Sequence, residues 1–484
     1  MVKSSEAEIA KPGAGTPGSP EIAAAPREHA SPALVPAPAE PAALPDLTDP
    51  RYYIHPELSR LSFNMRVLAM AADPAVPLLE RLRFLTIAST NLDELFEIRV
   101  AGIVEQSRYG VPTAGPDGLT PPEVLAQLAD AARTMVGEQY RILRDELFPA
   151  LATQGVRIPR RGDWSAPQRA WIHRTFLEQV MPVLTPTALD PSHPFPPIQN
   201  KALNFIVTLK GKDAFGRRIG LAVLKAPRCL PRLIRLPPEL SGGSDEFVML
   251  SSVIHAHIDD LFPGMQVTGC HQFRLTRNSD LWIDEEGAED LLLALRGQLR
   301  AREWGDAVRL EVADTCDAGD RVLPSSDSAW SGATSIRWTG GEPVPPARLC
   351  TRVERRGPHL SALCPRAAVA PARARTCSRC CAAATRQCSI TRTRATSVID
   401  LLRQAAIDPD VLAIKQTVYR TGADSRRSPR PSSTRPVAAK STAIIELQRR
   451  FDEAANIGVA QRLRDAGARV SLRQSATRRT RRCC

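Results

Sequence analysis

Apolar side chains recur at the spacing of one helical face through the first third of the chain. Leu58, Leu61, Met65, Leu68 and Ala72 form one stripe behind Pro56, a residue suited to a helix's first turn. Leu78, Leu82 and Leu85 form a second stripe behind Pro77, and Leu92, Leu95, Phe96, Val100 and Ile103 form a third. A long fourth helix is predicted from Pro122 toward Leu147, stopping near Gly155. Residues 49–155 therefore read as a small helical domain. One more amphipathic helix follows at 166–183, with Trp171, Ile172, Phe176 and Val180 facing inward. Then the period changes. Leu203, Phe205, Val207 and Leu209 alternate, as do Ile219, Leu221 and Val223, and later Val308, Leu310 and Val312. Alternation of this kind predicts half-buried strands. With helices predicted at 250–262 and 286–301 and a strand near 271–276, residues 156–316 read as an α+β domain.

The pattern stops near residue 317 and stays absent to about 395. It resumes with a helical stretch at 397–405 and a buried strand, Val411-Leu-Ala-Ile-Lys-Gln-Thr-Val418. It fails again over 425–443. A further strand, Ala443-Ile-Ile-Glu-Leu447, and a helix at 453–466 follow, and the pattern is lost after Leu472. Residues 396–472 thus read as the remnant of an α/β domain, interrupted at 425–443. At the other end, residues 1–48 are rich in Pro and Ala and nearly lack large apolar side chains. They cannot bury enough surface to offset the entropy of ordering, so a disordered tail is expected.

Charge and cysteine sharpen this division. The net charge is +12, but the segments 317–395, 425–443 and 473–484 carry +8, +5 and +5, leaving the remainder at −6. Eight of the 11 cysteines, Cys350, Cys364, Cys377, Cys380, Cys381, Cys388, Cys483 and Cys484, fall in the same three segments. A basic nucleic-acid-binding surface is therefore disfavoured: the arginines cluster where no fold is predicted, and no aromatic residues interleave them in a recognisable module. Cys377-x-x-Cys380 with Cys381 and Cys388 suggests zinc, yet no histidine or second Cys-x-x-Cys stands at finger spacing. No apolar run approaches the ~18 residues of a membrane span, and no secretory leader is visible.

Several stretches carry a family resemblance. Tyr53-Ile-His-Pro-Glu-Leu-Ser-Arg-Leu-Ser-Phe-Asn64, Arg83-Phe-Leu-Thr-Ile-Ala-Ser-Thr-Asn-Leu-Asp-Glu-Leu95 and His193-Pro-Phe-Pro196 resemble large, multi-domain bacterial polyphosphate kinases. The likeness continues, collinearly, through Leu230-Pro-Arg-Leu-Ile-Arg-Leu-Pro237, Phe273-Arg-Leu-Thr-Arg-Asn278, Asp408-Pro-Asp-Val-Leu-Ala-Ile-Lys-Gln-Thr-Val-Tyr-Arg420 and Glu446-Leu-Gln-Arg-Arg-Phe-Asp-Glu-Ala-Ala-Asn-Ile457. The resemblance implies a multi-domain α and α+β chain: a helical N-terminal domain, an α+β middle or head domain, and part of a phospholipase D-like α/β C-terminal domain. It also implies reversible transfer of the ATP γ-phosphoryl to polyphosphate through a phosphohistidine, assisted by Mg²⁺. The implied partners are ATP, ADP and polyphosphate, with no specific nucleic acid. A family-like homo-oligomer is implied too, located in the cytoplasm or peripherally at the inner membrane.

The resemblance also nominates site residues. Phosphoryl transfer needs cations that offset charge on phosphate oxygens, and the planar fork of arginine binds two oxygens at once. Arg420 and Arg450 match the family's magnesium-site arginines. A guanidinium cannot ligate Mg²⁺, so both read as phosphate partners beside the metal. Each follows a predicted strand, and two parallel strands would bring them to one carboxyl edge, where open α/β sheets bind ligands. By spacing alone, surface arginines paired with Asp424 or Asp452 would be the commoner reading. Asn91 matches the family's ATP-contacting asparagine, while Asn91-Leu-Asp-Glu94 also has the spacing of a capping box that would open the third helix. Lys415 and Glu446 sit inside the strands, either as polar groups reaching the site or as a structural pair. His193, His255 and His257 read as structural or packing residues.

None of these matches the catalytic histidine. The last of the eight histidines is His359, in the patternless segment. One permitted codon choice for Ser475–Cys484, read two bases later, gives Gly-Tyr-Lys-Thr-His-Ala-Lys-Met-Leu, which resembles the family's catalytic motif. The three basic segments are therefore read as out-of-frame translation. The rival readings are a non-catalytic pseudoenzyme and a basic polyanion-binding protein. Resequencing the gene is expected to find family-like codons in an alternative frame over 317–395, 425–443 and 473–484. Their absence would refute the frame reading.

Overall fold

The computed structural model of the chain describes residues 46–110, 114–189, 195–212, 216, 219–279, 304–313, 316, 334–338, 402, 405, 411–418, 441–446 and 453–473. Residues 1–45 of the tail expected at 1–48, the helix at 286–301 and most of 397–405 lie outside these residues.

The helical region opens with α1 (Pro56–Ala72), whose first turn is capped when the Glu57 N–H donates to His55 Nδ1 at 3.2 Å. Pro56 stands at its first position, as the sequence predicts. Next comes α2 (Leu78–Glu94), which does not stop where the capping-box spacing suggests. It runs on through a wider, π-type turn (Leu95–Val100) into α3 (Ala101–Arg108), so the expected second and third helices are one rod. The long helix predicted from Pro122 forms as α4 (Pro121–Arg141), opened by a Thr120–Glu123 capping box. It too continues through a π-type segment (Ile142–Leu147), into α5 (Phe148–Thr153). Leu61, Leu68, Leu82, Leu85, Leu128 and Met135 form the shared core. Two amides cross it. Asn64 Nδ2 donates to the Ala88 carbonyl at 2.8 Å, and Gln139 Nε2 to that of Leu85 at 3.0 Å.

The middle region holds two sheets. The smaller contains β1 (Val156–Arg157), β5 (Leu233–Arg235) and β6 (Asp245–Met249) in the order β1-β6-β5. The larger has the order β2-β4-β3-β7-β8-β9, built from β2 (Pro186–Ala188), β3 (Asn204–Gly211), β4 (Leu221–Lys225), β7 (Met265–Arg277), β8 (Ala307–Ala313) and β9 (Thr334–Trp338). Helices α6 (Ala166–Thr175), α7 (Pro238–Ser241) and α8 (Leu250–Ala256) accompany them.

The alternation at Phe205, Val207 and Leu209 faces one core, with Ile172, Phe176 and Val180 of the α6 segment. Ile206 and Val223 face a second core with Phe273 and Leu275. These strands are therefore covered on both sides, not half-buried as the period-2 pattern suggests, because the intervening positions are apolar as well. β9 is a second departure. It lies within the segment expected to lack regular structure and pairs parallel with β8, Leu310 opposite Ser335.

The last unit is a parallel sheet of β10 (Ile414–Val418), β11 (Ser441–Glu446) and β12 (Arg469–Arg473), ordered β10-β11-β12. Between β11 and β12 runs α9 (Glu453–Asp465), which packs Ile457, Val459, Ala460 and Leu463 onto Ala443 and Ile445. Among the described residues, no helix is long and apolar enough to cross a membrane.

Candidate functional site

The C-terminal sheet precedes, along the chain, the residues expected to meet phosphate. β10 and β11 are parallel and in register from Ile414 opposite Ser441 to Val418 opposite Ile445. Their carboxyl ends lie side by side, and β12 extends the same edge, with Arg473 opposite Glu446. The first turn of α9 is tied to this edge by the Asn456 side-chain amide, which donates to the Glu446 carbonyl at 2.9 Å. Arg420 lies two residues beyond the end of β10 and Arg450 four beyond β11, and both lie outside the described residues. Lys415 is exposed and stands opposite Thr442, four positions along β11 from Glu446. That register removes the suggested Lys415–Glu446 pair.

Guanidinium groups have no lone pair for a metal, and no cluster of potential metal ligands occurs at this edge among the described residues.

Asn91 is placed differently from the capping reading. It lies inside α2, where its carbonyl accepts the Leu95 N–H, so it caps nothing. Its Nδ2 donates to Asn64 Oδ1 at 3.1 Å, and it is half-buried. The helix continues because nothing between residues 85 and 100 breaks it; the Asn-x-x-Glu spacing occurs in mid-helix. His193 and His359 lie outside the described residues. His255 Nδ1 is 2.5 Å from Arg161 Nη1, and burial together with that guanidinium holds its pKa below the usual histidine value. His257 stacks on His173, ring centroids 4.6 Å apart, and packs near Phe176. Its pKa is also depressed, by burial and by His173.

A buried ionic cluster between the helical and middle regions was not anticipated. On α2, Asp93, Phe96 and Glu97 share one face, as helical spacing requires. Opposite them, Arg274 stands across from Glu311 and Thr276 across from Arg309 on β7 and β8, all on one face of the sheet. Asp93 accepts two bonds from Arg274, Nη2 to Oδ1 at 2.5 Å and Nη1 to Oδ2 at 3.2 Å, and another from Arg309 Nη2. Glu311 accepts from Arg274 Nε at 2.6 Å and lies 3.0 Å from Arg309 Nη2. The Arg309 guanidinium sits over the Phe96 ring, 4.8 Å from its centroid. One turn on, Glu97 accepts from Asn200 Nδ2 at 2.6 Å and from Lys201 Nζ at 2.9 Å.

Burial pushes the Asp93 carboxyl up, but Arg274 and Arg309 outweigh it and hold the pKa below the usual carboxylate value. The polar positions of the Arg309/Glu311 alternation looked solvent-facing in the sequence. The missing signal was the partner face: an acid at 93 and another at 97 on the buried side of the helix.

Three polyphosphate kinase family models match the chain: the N-terminal domain at residues 53–159, the middle domain at 167–323 and C-terminal domain 1 at 393–480. Together they cover well over half of it. Among similar proteins, a polyphosphate kinase of Pseudomonas aeruginosa is 47% identical over 430 residues, covering 88% of this chain and 62% of that protein. One from Xylella fastidiosa is 44% identical over 445 residues, 90% of this chain and 62% of its own. The chain thus spans about three-fifths of the length of the relatives it matches. The crystal structure of polyphosphate kinase from Porphyromonas gingivalis superposes with a TM-score of 0.67 at 24% identity, over 87% of this chain and 59% of that one, which bears on the fold alone.

The cluster yields a prediction. Asp93→Asn leaves two buried guanidinium groups undercompensated and is expected to cost about 3–5 kcal/mol, read by urea unfolding at pH 7. Because the folded pKa of Asp93 lies below its unfolded value, its contribution is full above about pH 4 and is lost as pH falls through the folded value. The gap between wild type and variant should therefore narrow in acid. A gap that stays constant from pH 7 to pH 3 would contradict the assignment.

Proposed function

This chain belongs to the polyphosphate kinase family, and from that premise we propose that it supplies the nucleotide- and phosphate-binding parts of an ATP–polyphosphate phosphotransferase. The observation that carries the reading is the parallel register of β10 and β11, whose adjacent carboxyl ends lead into Arg420 and Arg450. Two guanidinium groups at one sheet edge offset the charge of the phosphate chain and hold the transferred group in line. Asn91, on the helical domain, meets the nucleotide base: its amide both donates and accepts. In this reading Mg²⁺ arrives on the nucleotide's own phosphate oxygens, which it prefers to dedicated protein cages. The domains are taken as 49–155, 156–316 and 396–472, in a cytoplasmic homo-oligomer able to associate with the inner membrane.

The covalent step needs a nucleophilic imidazole, and no histidine of this chain follows His359. The 484-residue chain tested by itself is therefore expected to bind polyphosphate but to acquire no acid-labile, base-stable label from γ-labelled ATP. Arg420→Ala and Arg450→Ala should each weaken polyphosphate binding by about tenfold or more, the worth of a charge-assisted hydrogen bond. Labelling of the purified chain would overturn the first expectation. Unchanged binding in both variants would overturn the second.

A further inference from the structure

We propose that His173, His257 and Asp260 form a binding site for a divalent transition metal of the zinc class. None of the three takes part in the phosphate or nucleotide sites above. Each offers one ligand atom, and the three atoms lie within 4.8 Å of one another. Asp260 Oδ2 is 2.9 Å from His173 Nε2 and 4.0 Å from His257 Nδ1. Tetrahedral zinc with bonds of about 2.0–2.1 Å holds its ligand atoms about 3.3 Å apart. The two observed separations lie on either side of that value, and metal binding requires the two imidazole rings to turn out of their stack so that both nitrogens aim at one ion.

The backbone fixes two of the ligands. His257 ends α8, with its N–H donating to the Ile254 carbonyl at 3.2 Å, and Asp260 follows three residues later in a short helical turn, Ile258–Leu261. Ile254, Ile258 and Phe262 are buried and pin this turn to the core. The third ligand comes from α6, whose Ile172 and Phe176 join the same core. His173 and Asp260 side chains are 46% and 38% exposed, so an ion can enter and a fourth position faces water.

The donor set selects the metal. Two imidazole nitrogens and one carboxylate suit zinc and its neighbours, and three protein ligands with an open position is the pattern of an accessible rather than a sealed site. Magnesium and calcium, which want oxygen ligands, are disfavoured.

The test uses the full-length chain, stripped of metal, with cobalt(II) alone as the probe. The expected result is a visible band of low-coordinate cobalt that saturates at one equivalent, is displaced by zinc, and has no near-ultraviolet thiolate charge-transfer feature. His173→Ala and Asp260→Asn alter exposed side chains and should each weaken binding at least about tenfold. Absence of the band would overturn the proposal. So would a band with thiolate character that survives both substitutions, since it would place the metal on the Cys377–Cys388 cluster.

Discussion

The structure turns on four charged side chains that have almost no contact with water. Asp93 on α2 and Arg274, Arg309 and Glu311 on β7 and β8 are each less than a tenth exposed. Removing charges from water costs several kcal/mol per ion, which only close, well-aligned partners can offset. The bidentate bond from Arg274 to Asp93 and the bond from Arg274 to Glu311 provide that alignment. A helix displaced by one turn would leave Asp93 unpaired and, since Glu311 offsets one guanidinium of the sheet, one buried positive charge uncompensated. The cluster therefore sets the register of the helical region on the six-stranded sheet. Since Asn91 lies on the same turn of α2 as Asp93, it also sets where the amide expected to meet nucleotide can be.

Much of this was legible in the chain itself. The leucine stripes gave α1, α2 and α4 because a helix that buries one face needs that spacing. The strands at 205–209, 308–312, 414–418 and 443–446 followed from alternation or from short apolar runs. The failures have physical causes. Asn91-Leu-Asp-Glu94 has capping spacing, yet a cap also requires the chain to leave the helix, and nothing there makes it do so. Arg309 and Glu311 alternate with apolar neighbours and so mimic a solvent face. Only the packed structure shows Arg309 paired with Asp93 and stacked over Phe96, and Glu311 paired with Arg274. β9 was hidden because an edge strand of five residues needs no period beyond its own length.

The phosphate edge was legible in a different way. Spacing alone does not separate functional arginines from surface ones at 420 and 450; the proposed phosphate role rests on the family resemblance. The parallel pairing of β10 with β11 gives it a geometric basis, since antiparallel pairing would have sent the two arginine-bearing ends in opposite directions. The strong positive charge of the chain is a poor guide to this site. It is concentrated in the three segments outside the regular pattern, whereas the proposed phosphate role asks for only two arginines.

With the Asp93 cluster buried between them, the helical region and the six-stranded sheet should open as one cooperative unit. Native-state hydrogen exchange at increasing denaturant tests it most directly. The slowest amides of α2 and of β7 are expected to converge on a single opening free energy. Exchange of α2 through a separate, lower-energy opening, while β7 stays protected, would contradict it.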